Sequence, residues 1–176
     1  SPWKAWLDFN NHQTPVVGAE RGLATIAHQN VTGHGDAFSF TYGRSRGVNP
    51  IISTSYSLPL NRYDTTFIAS YRRNDFLVVE NPFRFLDLNG ESEIIGFTLR
   101  QPIYRTLSDE FALAVTGEHL YSKVTSIFDT AGLSSLFVPG SSNTGASTVS
   151  ALRFTQEYVH RTSTTVIAAR SRFSVG

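Results

Sequence analysis

Residues 36–43 read Asp-Ala-Phe-Ser-Phe-Thr-Tyr-Gly, and residues 52–60 read Ile-Ser-Thr-Ser-Tyr-Ser-Leu-Pro-Leu. In the first stretch Phe38, Phe40 and Tyr42 alternate with Ser39, Thr41 and Gly43; in the second Ile52, Thr54, Tyr56 and Leu58 alternate with Ser53, Ser55 and Ser57. Successive side chains of an extended chain point to opposite faces, so a period of two marks a strand with one apolar and one polar face. The pattern recurs outward along the chain. It appears in 65–73 (Phe67, Ala69, Tyr71 against Thr66, Ser70, Arg72) and in 93–103 (Ile95, Phe97, Leu99 against Gly96, Thr98, Arg100). It continues in 110–118 and 152–158, ends in 164–175, and has two weaker instances at 3–10 and 20–29. The expectation is about nine strands, each near the 9–11 residues of a tilted membrane-crossing strand.

Composition narrows the setting of these strands. Charged residues make up 16% of the chain, below the quarter or so usual in a soluble domain. Hydrophobic residues nonetheless reach only 40%, and no apolar run approaches the roughly 20 residues of a spanning helix. A transmembrane β-barrel reconciles the two, because only alternate residues of its strands face lipid. A net charge of +1 gives no reason to expect a nucleic-acid partner. The absence of cysteine rules out disulfides and thiolate metal sites. The opening Ser1-Pro2-Trp3-Lys4 has no signal-peptide pattern, as expected of a processed or partial polypeptide.

The links between strands carry further information. Short turns are expected at 30–35, 60–63, 106–108 and 161–163, interleaved with longer links at 11–19, 44–49, 74–90 and 125–147. Short and long links alternating is the layout of an outer-membrane barrel, with short periplasmic turns and long extracellular loops. A soluble barrel of the lipocalin kind also alternates, but carries its charges outside. Low charge, polar faces made of Ser, Thr, Gly and Ala, and aromatics expected at strand ends (Trp3, Tyr63, Tyr104, Tyr121, Tyr158) favour the membrane.

Two motifs resemble a known family. Asn30-Val31-Thr32-Gly33-His34-Gly35-Asp36, followed by an aromatic strand and then Tyr56-Ser57-Leu58-Pro59-Leu60-Asn61, resembles the barrel of the two-partner-secretion transporters. These form the haemolysin activation and secretion family within the outer-membrane protein assembly superfamily. Its matching turn residues are Asn30, Gly33, Gly35 and Asp36, then Tyr56, Leu58, Pro59 and Leu60. Pro15-Val16-Val17-Gly18 followed by Arg21 is similar to the first loop and second strand of that barrel. The resemblance implies sixteen strands, periplasmic POTRA domains ahead of them and an exported partner protein. Residues 1–176 then read as an outer-membrane barrel domain, the N-terminal half of such a barrel. No POTRA segment and no Val-Arg-Gly-Tyr/Phe motif is visible in the chain. Taken alone, the glycines say only that tight turns need a positive φ.

No catalytic set is expected. Histidines 12, 28, 34, 119 and 160 lack metal-ligand spacing, and Glu118 and His119, as strand neighbours, point to opposite faces. No cofactor, metal or enzymatic activity is expected. The residues of interest are the charges on the polar faces: Lys4, Asp8, Arg72, Arg100, Glu118, Arg153, Glu157, Arg170 and Arg172. They should face a wet lumen, since each would cost about 2–4 kcal/mol against lipid near the midplane. Two function classes stand side by side: a bacterial outer-membrane transporter that exports a partner polypeptide, and a passive porin or small structural barrel. The expected partners are the bilayer and its outer-membrane lipid, an exported protein, and either another subunit or further strands to cover the edge of 164–175.

Overall fold

Ser39 and Ser55, alternate residues of the two founding stretches, meet across neighbouring strands with their hydroxyls 2.9 Å apart, and the whole sheet follows their pairing. The computed structural model describes residues 2–80, 87–125 and 145–176. Nine strands occupy them: β1 Trp3–Asn10, β2 Arg21–Gln29, β3 Ala37–Ser45, β4 Val48–Pro59, β5 Thr66–Leu77, β6 Asn89–Arg105, β7 Asp109–Thr125, β8 Ala146–Arg161 and β9 Val166–Val175. Each pairs antiparallel with the next, in chain order, within a single sheet. The chain is all-β and up-and-down.

Directly opposed residues of an antiparallel pair share a face. One row runs Trp3, His28, Phe38, Tyr56, Ala69, Phe97, Gly117, Leu152, Val175 across all nine strands. The adjoining row runs Lys4, Ala27, Ser39, Ser55, Ser70, Gly96, Glu118, Ala151. By this register Phe38, Phe40, Tyr42, Phe67, Tyr71, Phe97, Leu99, Leu113 and Phe154 all lie on the first face. That face is the open one, with Phe97 53% exposed and Leu152 59%, while Thr155 and Ala112 on the other are 4% and 1% exposed. A soluble barrel would show the reverse. The sheltered face is not purely polar: Trp6, Leu23, Ile68, Ile94 and Leu120 belong to it.

Two expectations from the sequence need correction. The link at 44–49 is not a long loop: β3 runs to Ser45 and β4 begins at Val48, leaving only Arg46 and Gly47 between them. Gly47 and Pro50 imitate a loop, but Pro50, which has no N–H to give a ladder, sits in the register shift between Val48 and Ile51. Nor are the strands uniformly 9–11 residues long, since β6 and β7 each have 17 and β8 has 16. The outward face explains the excess. It carries Arg73, Asp75, Glu91, Glu93 and Lys123 at the strand ends away from the short turns, with Arg73 opposite Glu93 and Glu91 opposite Lys123. The apolar section, from about Ile95 to Ile103 on β6, sets the membrane crossing, and the hairpins continue beyond it with a polar outward face, while the sheltered face there keeps Ile94 and Leu120. The apolar-out period ends there, so the alternation read from the sequence stops too early. Of the links at 74–90 and 125–147, residues 81–86 and 126–144 lie outside the described residues.

Charge substitutions test the assignment of the two faces. Phe97→Arg is expected to lower folding stability in a bilayer by about 2–4 kcal/mol. Ser57→Arg, on the sheltered face, should change it by less than about 0.5 kcal/mol. Denaturant titrations of the refolded barrel measure both, and equal losses would mean that neither face meets lipid.

Candidate functional site: the polar face and its turns

The sheltered face places the nine charges singled out from the sequence. Lys4 and Asp8 stand on β1, Arg72 on β5, Arg100 on β6, Glu118 on β7, Arg153 and Glu157 on β8, and Arg170 and Arg172 on β9. The register puts all nine on this one face. Six of them, Arg100, Glu118, Arg153, Glu157, Arg170 and Arg172, line one hollow of about 300 Å³. Lys4, Asp8 and Arg72 lie apart from it.

Within this group the charges are mostly matched. Glu157 accepts from Arg170 Nε at 3.3 Å and from Arg100 Nε at 3.3 Å, and Arg100 Nη2 donates to Glu110 at 2.6 Å. Glu110 also faces Arg105 at 3.7 Å, and Arg105 pairs with Asp64 of the β4–β5 turn. The result is a chain of alternating sign from β9 to that turn. Arg153 and Glu118 form a separate pair. Sequence reading missed Glu110, Arg105 and Asp64. Parity within β7 points to Glu110, which shares the face of Ala112 and Ala114, but the bulge between Pro102 and Tyr104 hides Arg105. Such partly exposed pairs contribute about 0–1 kcal/mol each, so their main effect is to leave the wall hydrated and close to neutral. Beside them the face is built from hydroxyls, with Thr25 against Thr41 at 2.9 Å and Thr98 against Thr116 at 2.8 Å.

The turn residues form a compact structure of their own. Asn30 adopts φ 69°, and Gly33 and Gly35 adopt 87° and 77°, conformations that Asn and Gly accept most readily. Gly35 N–H donates to Asn30 Oδ1 at 2.7 Å. Asp36, only 1% exposed, accepts from the Thr32 N–H at 2.9 Å, the Thr32 hydroxyl at 3.0 Å and the Tyr56 hydroxyl at 2.9 Å. The β2–β3 turn is thereby tied to β4. Thr32 is the member that sequence reading left unassigned. Burial alone would raise the Asp36 carboxyl, but hydrogen bonds from Thr32 and Tyr56 outweigh it and hold it below its ordinary value. Leu58 pairs with Phe67 and Pro59 with Thr66 at the end of β4. In the next turn Leu60 N–H donates to Thr65 O at 2.7 Å, and Asn61 Oδ1 accepts from Tyr63 N–H at 2.9 Å and the Thr65 hydroxyl at 3.0 Å.

Residues 1–134 match the family described as haemolysin secretion/activation protein ShlB/FhaC/HecB. The chain belongs to this family. No curated protein sequence matches it. Among solved structures, CdiB from Escherichia coli superposes with a TM-score of 0.81 at 16% identity, over 99% of this chain and 31% of that one. The structure of BamA from Haemophilus ducreyi lacking POTRA domains 1-3 superposes with a TM-score of 0.57 at 9% identity, over 99% of this chain and 34% of that one. At those identities the likeness is one of fold. The chain spans about a third of the length of these two proteins. ShlB/FhaC/HecB membership together with the apolar outer face assigns the sheet to an outer-membrane β-barrel.

Two measurements test the site. The native Asp36 carboxyl lies below its unfolded value, so its contribution is complete above the ordinary carboxylate range and declines as pH falls through the lowered native value. Asp36→Asn should therefore lower the unfolding midpoint at neutral pH, with the difference from wild type shrinking only below about pH 4. A difference that vanishes near pH 6 would refute the assignment. For the ion chain, Glu157→Gln should cost less than about 1 kcal/mol. A loss of several kcal/mol would mean that the chain holds the wall together.

Proposed function

We propose that this sheet is part of the wall of an outer-membrane transporter through which a partner polypeptide crosses, and that it acts as a conduit without catalysing any reaction. The observation that carries the reading is the match of residues 1–134 to the haemolysin secretion/activation family. The sheltered face supports it physically. A polypeptide in transit presents side chains of every kind, so a passage must hydrate them without holding any of them. Hydroxyl pairs such as Ser39 with Ser55 and Thr98 with Thr116, and arginines already matched by Glu110, Glu118 and Glu157, provide weak, water-compatible contacts. Favourable entry combined with weak retention is the general requirement for passage through a pore. The remaining strands, the POTRA domains and the exported partner are what the family membership implies for the whole protein.

The test compares cells with and without the intact transporter, by quantitative mass spectrometry of medium and periplasm. One large polypeptide should disappear from the medium and accumulate in the periplasm when the transporter is deleted. An unchanged medium together with altered small-solute uptake would instead identify a passive pore.

A further inference from the structure

On β1–β3 the outward face stays apolar almost to the loop end. Leu7 and Phe9 of β1 are 69% and 80% exposed. The register sets Leu7 beside Ala24 and Tyr42, and Phe9 beside Gly22 and Arg44. Gly22 puts no side chain between Phe9 and Arg44, and even a Cβ there would stand 3.1 Å from the Phe9 ring. The ring of Phe9 thus leans over β2, and Arg44 closes the apolar run on the next strand.

Arg46 follows at the tip of the β3–β4 hairpin, exposed like Arg44. The tip itself is held in place. Gly47 N–H donates to Val17 O at 2.8 Å, in the inward-folded 3-10 turn at Pro15–Val17, and Leu77 N–H donates to Gly47 O at 2.6 Å. Among the described residues neither guanidinium makes a hydrogen bond or ion pair. Arg73, Arg100, Arg105, Arg153 and Arg170, by contrast, all meet carboxylates. Phe9, Arg44 and Arg46 border an open hollow of about 840 Å³, whose lining sets three arginines, with Arg21, against the single carboxylate of Glu20. Asp75 and Glu91 approach Arg44 and Arg46 from the other side, but Asp75 is held by Arg73 at 2.9 Å and Glu91 stands opposite Lys123.

Long loops mark the cell-surface end of an outer-membrane barrel, so these arginines stand at the level of the outer-leaflet headgroups. A surface that is apolar on its membrane side and carries unmatched positive charge at its rim fits a lipid with an anionic head. The planar guanidinium fork matches pairs of phosphate oxygens, and basic groups beside a lipid-facing surface take up lipid headgroups. The anchored hairpin tip lowers the entropy cost of binding.

We propose that Arg44 and Arg46 seat the phosphate of a phosphorylated glycolipid of the outer leaflet, with one acyl chain laid along Leu7, Phe9 and Tyr42. The seat rests on the outer-membrane setting and is independent of the transport reading.

For the test, the whole transporter is purified in detergent, stripped of native lipid and titrated with bis-phosphorylated lipid A, and bound lipid is counted by native mass spectrometry. Combining Arg44→Gln with Arg46→Gln should weaken binding at least about tenfold, the effect of losing one charge-assisted hydrogen bond. Lys123→Gln, also outward at this end, should leave binding unchanged. Lipid A stripped of its phosphates should bind wild type as weakly as intact lipid A binds the double variant. Wild-type affinity should fall as salt is raised; these last two measurements stand even where the double variant does not assemble. Equal binding by wild type and the double variant, an equal loss in Lys123→Gln, or indifference to phosphate removal or to salt would overturn the seat. Full displacement of lipid A by inorganic phosphate would reduce it to an anion site and overturn the lipid as its occupant. Transport stands under every one of these outcomes.

Discussion

In the hydrocarbon of a bilayer no water is available to a backbone N–H or C=O, and each group left unmatched there costs several kcal/mol. The rest of this structure follows from that constraint. A chain without a spanning apolar helix can satisfy it only by pairing strands, and here each strand bonds to its sequence neighbour in one antiparallel sheet. Pro50, which has no N–H to give, is accommodated by a register shift. Among the described residues the outer edges of β1 and β9 bond on one side only, and the constraint applies to them as well.

Once the strands pair, the pleat separates the side chains into two chemistries. One face of the sheet carries Phe38, Phe67, Phe97 and Phe154 toward lipid, with Phe67 and Phe97 stacked at 6.1 Å. The other collects hydroxyls and charges. A register slip of one residue would turn a strand's sheltered charges to the lipid side, so the lipid itself enforces the register. The arginine and glutamate chain from Arg170 to Asp64 is a consequence of this sorting. Charges that lipid rejects are gathered on one face, where opposite signs come within reach across strands.

Turns fix the strand order at the ends of this arrangement. Asp36, buried beneath the β2–β3 turn and bonded by Thr32 and Tyr56, couples a local turn to the strand beyond it. Asn61 organises the following short turn in the same way. At the opposite end the inward-folded Pro15–Val17 segment closes around Gly47. One rim is thus built from tight polar turns, and the other begins with a loop that enters the mouth.

The strand pattern, the two faces and the outer-membrane setting were legible in the sequence, because alternation and low charge are local properties that lipid imposes residue by residue. All nine strands lie where alternation indicates them, and Asn30, Gly33, Gly35 and Asp36 do form a turn. The reach of the longer strands was not legible. Beyond the apolar section the outward face of β6 and β7 is polar, with Glu91 opposite Lys123, and hydrogen bonding continues there although the apolar-out period has ended. Gly47 and Pro50 resembled a loop because composition cannot tell a bulged strand from a break. The partners of Asp36, the ion chain through Glu110 and Arg105, and the meeting of Phe9 with Arg44 across Gly22 were decided by tertiary structure alone. Each joins side chains from separate strands or links, and only the register brings them together.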